Sequence, residues 1–153
     1  MSKPIHILFI CVANSARSQL AEGLAKSLFS SEAQIQSAGS NPGKLNPYAV
    51  KVMQEIGLDI SEHYSKSVDD LSPKFIVGLD YIITLCADEV CPTMVARNAK
   101  KLHWPFPDPA SSEVLSDEAM LTRFRAAREG ILKSLKEFKE EVTSMPSQKS
   151  EKS

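Results

Sequence analysis

Three cysteines, Cys11, Cys86 and Cys91, are the side chains of this sequence with the most chemistry to offer. Cys11 opens the run Cys11-Val12-Ala13-Asn14-Ser15-Ala16-Arg17-Ser18, which separates a thiol from a guanidinium by five residues. A loop of that length between a strand and a helix can curl so that the successive backbone N–H groups of Val12, Ala13, Asn14, Ser15, Ala16 and Arg17 face one centre. The start of the following helix adds further N–H groups and the positive end of its dipole. Arg17 contributes a planar fork that matches two oxygens of a tetrahedral anion. The same field favours the thiolate of Cys11, the nucleophilic form. The chemistry implied is attack by sulfur on a trapped oxyanion.

The bland alternative is that Cys11 packs as a small apolar residue while Arg17 lies on an exposed helix face. Placement of the motif between an apolar strand and a helix argues against it. The chain has no Gly-x4-Gly-Lys, so a nucleotide-binding phosphate loop is not supported. Three cysteines make an odd number, which does not read as a structural disulfide framework. The three histidines are scattered and no Cys-x-x-Cys occurs, so a fixed zinc site is not expected.

The elements that must position these groups follow from the apolar pattern. Ile5 to Ile10 is a short apolar run rich in β-branched residues, expected as a buried strand leading directly into Cys11. Ser15 to Phe29 carries Leu20, Leu24 and Leu28 at helical spacing, with Ser15 placed to cap its start. Ala33 to Ala38 predicts a second strand, ended by Gly39 and the turn-rich Ser40-Asn41-Pro42-Gly43. Asn46-Pro47 opens a helix bearing Val50, Met53 and Ile56, closed by Gly57. A polar connection then leads to a third strand, Tyr81 to Leu85, which runs into Cys86. Lys101 to Trp104 predicts a fourth strand, stopped by Pro105, with Asp108 four residues beyond. Asp117 to Val142 reads as a long amphipathic helix with Phe124, Ala127, Ile131, Leu135 and Phe138 as its stripe.

Strands alternating with helices predict an α/β fold, a single-domain three-layer sandwich around a four-stranded parallel sheet. Residues 1–142 are expected to form the domain and residues 143–153 a disordered polar tail. In such sheets ligands bind beyond the carboxyl ends of the strands, which puts Cys11, Cys86 and Asp108 along one edge. Apolar residues make up 42% and charged residues 24%, the balance of a globular protein. The net charge of -1 implies no general attraction to nucleic acid or anionic membrane, so any anion site is local. No apolar stretch approaches the roughly 20 residues of a membrane span, and Ile5 to Val12 is too short for a secretory signal. A cytoplasmic protein is expected.

The first loop with Ser18-Gln19-Leu20-Ala21-Glu22 resembles the signature of low-molecular-weight tyrosine phosphatases and their arsenate reductase relatives. The likeness extends through Ser37-Ala38-Gly39-Ser40, Thr84-Leu85-Cys86, Cys91-Pro92, and His103-Trp104-Pro105 followed by Asp108-Pro109-Ala110, to about residue 140. It implies the flavodoxin-like topology of that family.

A phosphatase of this kind would need only Cys11 as nucleophile, Arg17 as anion clamp and Asp108 as acid, hydrolysing phosphate monoesters through a phosphocysteine. The resemblance to the reductases gives Cys86 and Cys91 a use. There Cys11 attacks arsenic, Asp108 helps a protonated oxygen leave, Cys86 attacks Cys11 to release arsenite, and Cys91 moves the disulfide to Cys86–Cys91. The implied reductant is external, thioredoxin or a glutaredoxin-type thiol, with no bound cofactor, phosphate as a competing anion and a monomeric enzyme. Five residues of α-helix advance about 7.5 Å, whereas a disulfide needs Cα atoms within roughly 7 Å. Residues 86–91 are therefore expected as a mobile loop with Ala87-Asp88-Glu89 at its tip. Ala110, where the phosphatases tend to place an aromatic, favours a small inorganic substrate. A redox sensor using the dithiol alone would not need the Cys11-to-Arg17 loop or Asp108.

The resemblance also places Ser18 against the nucleophile's sulfur and makes Asn14 a loop-stabilising residue. Some reductases of the family hold potassium near residues equivalent to Asn14, Glu22 and Ser37 together with an aspartate. Here Lys66 follows Ser65 at that aspartate's place, so no metal is expected. The Lys66 ammonium either stands in for the ion or lies exposed. His6, His63 and His103 are expected to be structural, and Trp104 to belong to the core.

Overall fold

The computed structural model describes residues 4–86, 99–110 and 115–144. Cys91 and the predicted loop tip at 87–89 lie outside the described residues, as do residues 145–153 of the predicted 143–153 tail; its first two residues instead belong to the last turn of the C-terminal helix. The elements are β1 (Ile5–Cys11), α1 (Arg17–Phe29), β2 (Ala33–Gly39), α2 (Pro47–Gln54), α3 (Pro73–Val77), β3 (Tyr81–Thr84), β4 (Lys100–His103) and α4 (Asp117–Ser144). Among the described residues the strands form one sheet in the order β2-β1-β3-β4, and every pairing is parallel. This is the α/β architecture that the strand–helix alternation predicts.

Residues on β1 are buried on both faces, which is why its sequence is apolar without alternation. Ile7 and Phe9 face a large core shared with α1, α2 and α4, while Leu8 and Ile10 face a smaller one closed by Leu71, Phe75 and Leu79. The predicted stripe of α4, Phe124, Ala127, Ile131, Leu135 and Phe138, is buried throughout. Trp104 is partly buried between Phe9 and Phe138, at ring separations of 6.4 Å and 5.7 Å.

Three local expectations are corrected. α2 ends at Gln54, short of the Ile56 read onto its apolar face, and Ile56 is exposed. Ser15 does not cap α1, which begins at Arg17 with Ala16 as its N-cap and no side-chain cap bond. A capping side chain would consume donors at the helix end that closes the candidate anion loop. The stretch read as a polar connection contains α3, with Ser72 accepting from the Phe75 N–H and Pro73 in its first turn. That is the same cap-and-proline signal that Asn46-Pro47 gives α2, where Asn46 accepts from the Tyr48 N–H.

Helices α2 and α4 are tied by Glu55, which accepts from Arg125 and from Arg128 at 2.8 Å. These two guanidinium groups hold the Glu55 carboxyl at about 2, down from 4.5. The depressed folded-state value means the ion pair's contribution is fully present above about 4.5 and is lost as pH falls through about 2. Glu55→Gln is therefore expected to lower Tm at neutral pH, with the gap from the parent protein closing across that acid window. Thermal melts of both proteins from pH 7 downward check it; a gap that widens in acid contradicts it.

Candidate active site

Parallel pairing of β1 with β3 places Ile10 opposite Thr84, and the Leu85 N–H donates to the Ile10 carbonyl at 2.9 Å. Cys11 and Cys86 thus sit at the carboxyl ends of adjacent strands, whose spacing is about 4.8 Å. Both are buried, at 3% and 1% exposure, and Cys11 is a free thiol. β4 continues the same edge, and the segment after it carries Asp108.

Between Cys11 and Arg17 the carbonyls are turned outward and tied down. Val12 accepts from the Asn41 N–H, Ala13 from Gly43, Ser15 from Asn46 and Ala16 from Leu20. The Asn14 carbonyl accepts from the Gln19 amide and the Ser65 hydroxyl. Because each peptide unit opposes its C=O to its N–H, the amides face the inside of the loop. Among the described residues none accepts from the backbone N–H of Ala13, Asn14, Ser15 or Ala16. Asn14 sits at φ 51°, a left-handed conformation that asparagine tolerates. The loop encloses a cavity of about 190 Å³ lined by Cys11, Val12, Ala13, Ser15, Ala16, Arg17 and Asp108.

Arg17 is 4% exposed, and its Nη1 is anchored on the carbonyls of Phe106 at 2.8 Å and Leu85 at 3.3 Å. These bonds fix the guanidinium plane across the ends of β3 and β4. Asp108 is half exposed, with Oδ2 4.0 Å from Arg17 Nη2 and Oδ1 accepting from the Ala110 N–H. It is both the turn-former that Pro-Asp-Pro suggests and a carboxylate on the cavity wall. Arg123 of α4 holds this turn from behind by donating to the carbonyls of Pro109 and Asp108.

Beneath the sulfur runs a buried polar chain. Ser18 Oγ lies 2.9 Å from Cys11 Sγ and accepts from Asn14 Nδ2 at 2.7 Å, which leaves its own proton for the sulfur. Asn14 Nδ2 also donates to Ser37, whose hydroxyl donates to Glu22. Burial opposes ionisation of Glu22, but Lys26 and Ser37 as donors, with the charges of Lys66 and Lys26, outweigh it and lower its pKa. Burial lowers the pKa of His63, partly offset by Glu22. His63 Nδ1 lies 3.0 Å from Gln19 Oε1, and Gln19 in turn grips Asn14. Of the other two histidines, the His6 ring meets Phe75 edge-on with Nδ1 4.0 Å from Asp80, and His103 Nδ1 lies 2.6 Å from the Thr84 hydroxyl.

The structure therefore gathers Cys11, Val12, Ala13, Ser15, Ala16, Arg17 and Asp108 around one cavity, with Asn14 and Ser18 buried behind the sulfur and Cys86 at the neighbouring strand end. His63, Ser65, Arg123 and the Phe106 carbonyl support it without any sequence signal that singles them out, while Gln19 stands in the family signature with no role assigned to it there. Gly39 does carry one: a glycine closing a strand marks a close backbone approach.

Residues 6–146 match the family of low molecular weight phosphotyrosine protein phosphatases. The chain belongs to that family. Its relatives include an arsenate reductase of Halalkalibacterium halodurans, 42% identical over 142 residues, or 92% of this chain and 98% of the relative. Among solved structures, an arsenate reductase in the phosphate binding state superposes with a TM-score of 0.70 at 27% identity, covering 88% of this chain and 95% of the other. A thioredoxin-dependent arsenate reductase of Corynebacterium glutamicum superposes with a TM-score of 0.60 at 27% identity, covering 89% and 64%. The family resemblance and the fold read from the motifs thus agree with both comparisons.

Proposed function

We propose that this member of the phosphatase family reduces arsenate to arsenite. The observation that carries the reading is a free thiol at the floor of a loop whose amides, Arg17 and Asp108 converge on one cavity, with a second cysteine at the adjacent strand end. Among the described residues the cavity lining contains no aromatic side chain, which suits a small tetrahedral anion better than an aryl ester. The relatedness to arsenate reductases supports the same choice.

In the reaction the amides of residues 12–17 and Arg17 hold the anion, and the Cys11 thiolate attacks arsenic. The Ser18 hydroxyl, 2.9 Å away, donates a hydrogen bond to the sulfur and holds it in place for the attack. Asp108 supplies the proton with which one oxygen leaves as water. Cys86 thiolate then attacks Cys11 Sγ; the S–As bond breaks and its electron pair goes to arsenic, releasing arsenite and leaving a Cys11–Cys86 disulfide. Cys91 attacks Cys86 and frees Cys11, so two thiols supply two electrons. Both sulfurs are buried at adjacent strand ends, so this exchange is shielded from solvent.

The Cys86–Cys91 disulfide is then reduced by an external thiol protein, and the thioredoxin dependence of the Corynebacterium relative favours thioredoxin. No bound cofactor takes part. The scheme calls for no second copy of the chain, so a monomer would suffice, and no described helix is long and apolar enough to cross a membrane. Chemistry that starts from a free thiol suits the reducing cytoplasm.

Hydrolysis of phosphate monoesters through phosphocysteine is the second reading, favoured by the family and by the Cys11, Arg17 and Asp108 arrangement. Arsenate-dependent NADPH oxidation, reconstituted in turn with the thioredoxin and the glutaredoxin systems, tests the choice. Sustained oxidation matched by arsenite, inhibited by phosphate, is expected with thioredoxin. Brisk turnover of p-nitrophenyl phosphate with no arsenite formed would overturn it.

A further inference from the structure

The buried carboxylate of Glu22 ends the polar chain that reaches Cys11 through Ser37, Asn14 and Ser18. A charge at its far end biases every donor along it. Potassium, which some family members hold beside residues of this type, takes oxygen ligands, and the candidates here are Glu22, Ser37 and the Asn14 side-chain oxygen. All are already engaged. Asn14 Oδ1 accepts from the Lys66 N–H at 2.9 Å and from Gln19 at 3.2 Å. Ser37 Oγ accepts from Asn14 Nδ2, and Glu22 Oε2 accepts from Lys26. Lys66 Nζ stands 3.9 Å from Glu22 Oε1, with its side chain only 12% exposed. An added cation would meet committed acceptors and two ammonium groups, so the site does not fit the ion.

We propose that Lys66 is a positioning residue whose ammonium replaces a bound monovalent cation beside Glu22, so that the oxyanion loop is set without added potassium. This rests on reading that loop as the oxyanion cradle. Lys66 is placed for the task at three points. Its N–H holds the Asn14 side chain, its carbonyl accepts from the Gly39 N–H at 2.9 Å, and its ammonium lies over the Tyr64 ring at 5.4 Å. The backbone contacts fix the loop from outside while the charge offsets the buried carboxylate. Lys26 also offsets the carboxylate, by direct contact at Glu22 Oε2, but it lies on α1 and holds neither the Asn14 side chain nor Gly39.

The test compares the parent protein, Lys66→Ala and Lys66→Arg in potassium chloride and in choline chloride at equal ionic strength. Two readouts are taken: Tm without arsenate, and kcat/KM for arsenate. The parent protein and Lys66→Arg are expected to be indifferent to the choice of salt in both. Lys66→Ala, which removes the charge and opens space, is expected to lose about tenfold in kcat/KM in choline. Potassium should restore it saturably and raise its Tm, whereas choline, too large for the space, should not.

A potassium-specific rise in Tm of the parent protein overturns the inference, and that arm needs no variant to fold. Full activity of Lys66→Ala in choline, or a loss that potassium leaves untouched, overturns it equally. Failure of the reductase reading looks different: the parent protein then makes no arsenite in either salt, while the Tm comparison still reports on Lys66.

Discussion

Cys86→Ser is expected to stop catalytic reduction of arsenate, with thioredoxin-coupled NADPH oxidation falling at least about 10³-fold, as when a chemical step loses its only nucleophile. A serine hydroxyl cannot take over Cys11 Sγ, so the S–As bond has no route to break with its electron pair on arsenic. Arsenite formed should stay below one per chain however much reductant is supplied. The side chain at 86 is buried, so a serine there also costs about 1–3 kcal/mol through an imperfectly paired hydroxyl. Assays well below the variant's Tm separate the two effects. Turnover equal to that of the parent protein would remove Cys86 from the chemistry and leave ester cleavage as the surviving reading.

Gly39→Ala should be nearly as damaging although Gly39 touches no substrate. A Cβ there would lie 2.2 Å from the Val12 carbonyl oxygen and 2.9 Å from that of Cys11. Both are backbone atoms, and on its other side Gly39 is bonded to the Lys66 carbonyl and bridged to Ser67. The strand end is clamped between two segments, so the loop itself must move. Overpacking of this sort costs about 1–3 kcal/mol or more. A shift near 1 Å at the nucleophile's neighbour costs about 10² in rate. Denaturant unfolding and kcat/KM for arsenate should therefore both report a loss, with the kinetic one persisting where the variant is fully folded. A folded variant with unchanged kcat/KM would show that the loop tolerates displacement and is not the rate-setting cradle.

The candidate residues Cys11 and Cys86 were legible because each follows a short apolar strand. Ile5 to Ile10 and Tyr81 to Leu85 could be read from composition, whereas β4, with two lysines and a histidine in four residues, was marked mainly by its place before Pro105; parallel pairing then brings the three strand ends together. Asn46-Pro47 and the α4 stripe were equally plain. What escaped is whatever depends on a partner far along the chain. Ser15 looks like a cap until the loop's demand for amide donors is considered. Gln19 and His63 are 44 residues apart and meet only because the segment around 63 folds back over α1. Lys66 could be read either as a stand-in cation or as an exposed lysine, and its depth beside Glu22 follows from that same fold-back. Ser72-Pro73 is the exception, a local signal for α3 passed over among polar neighbours.

The central claim is that an oxyanion held over the Cys11 thiol is reduced by electrons from this chain's own cysteines. It is tested most directly by a balance sheet for one turnover. Fully reduced protein is mixed with excess arsenate and no external reductant; arsenite is counted, and the remaining thiols are alkylated and mapped by mass spectrometry. The account predicts one arsenite per chain, two thiols lost, and a disulfide between Cys86 and Cys91 with Cys11 again free. Undiminished thiols with no arsenite would contradict it.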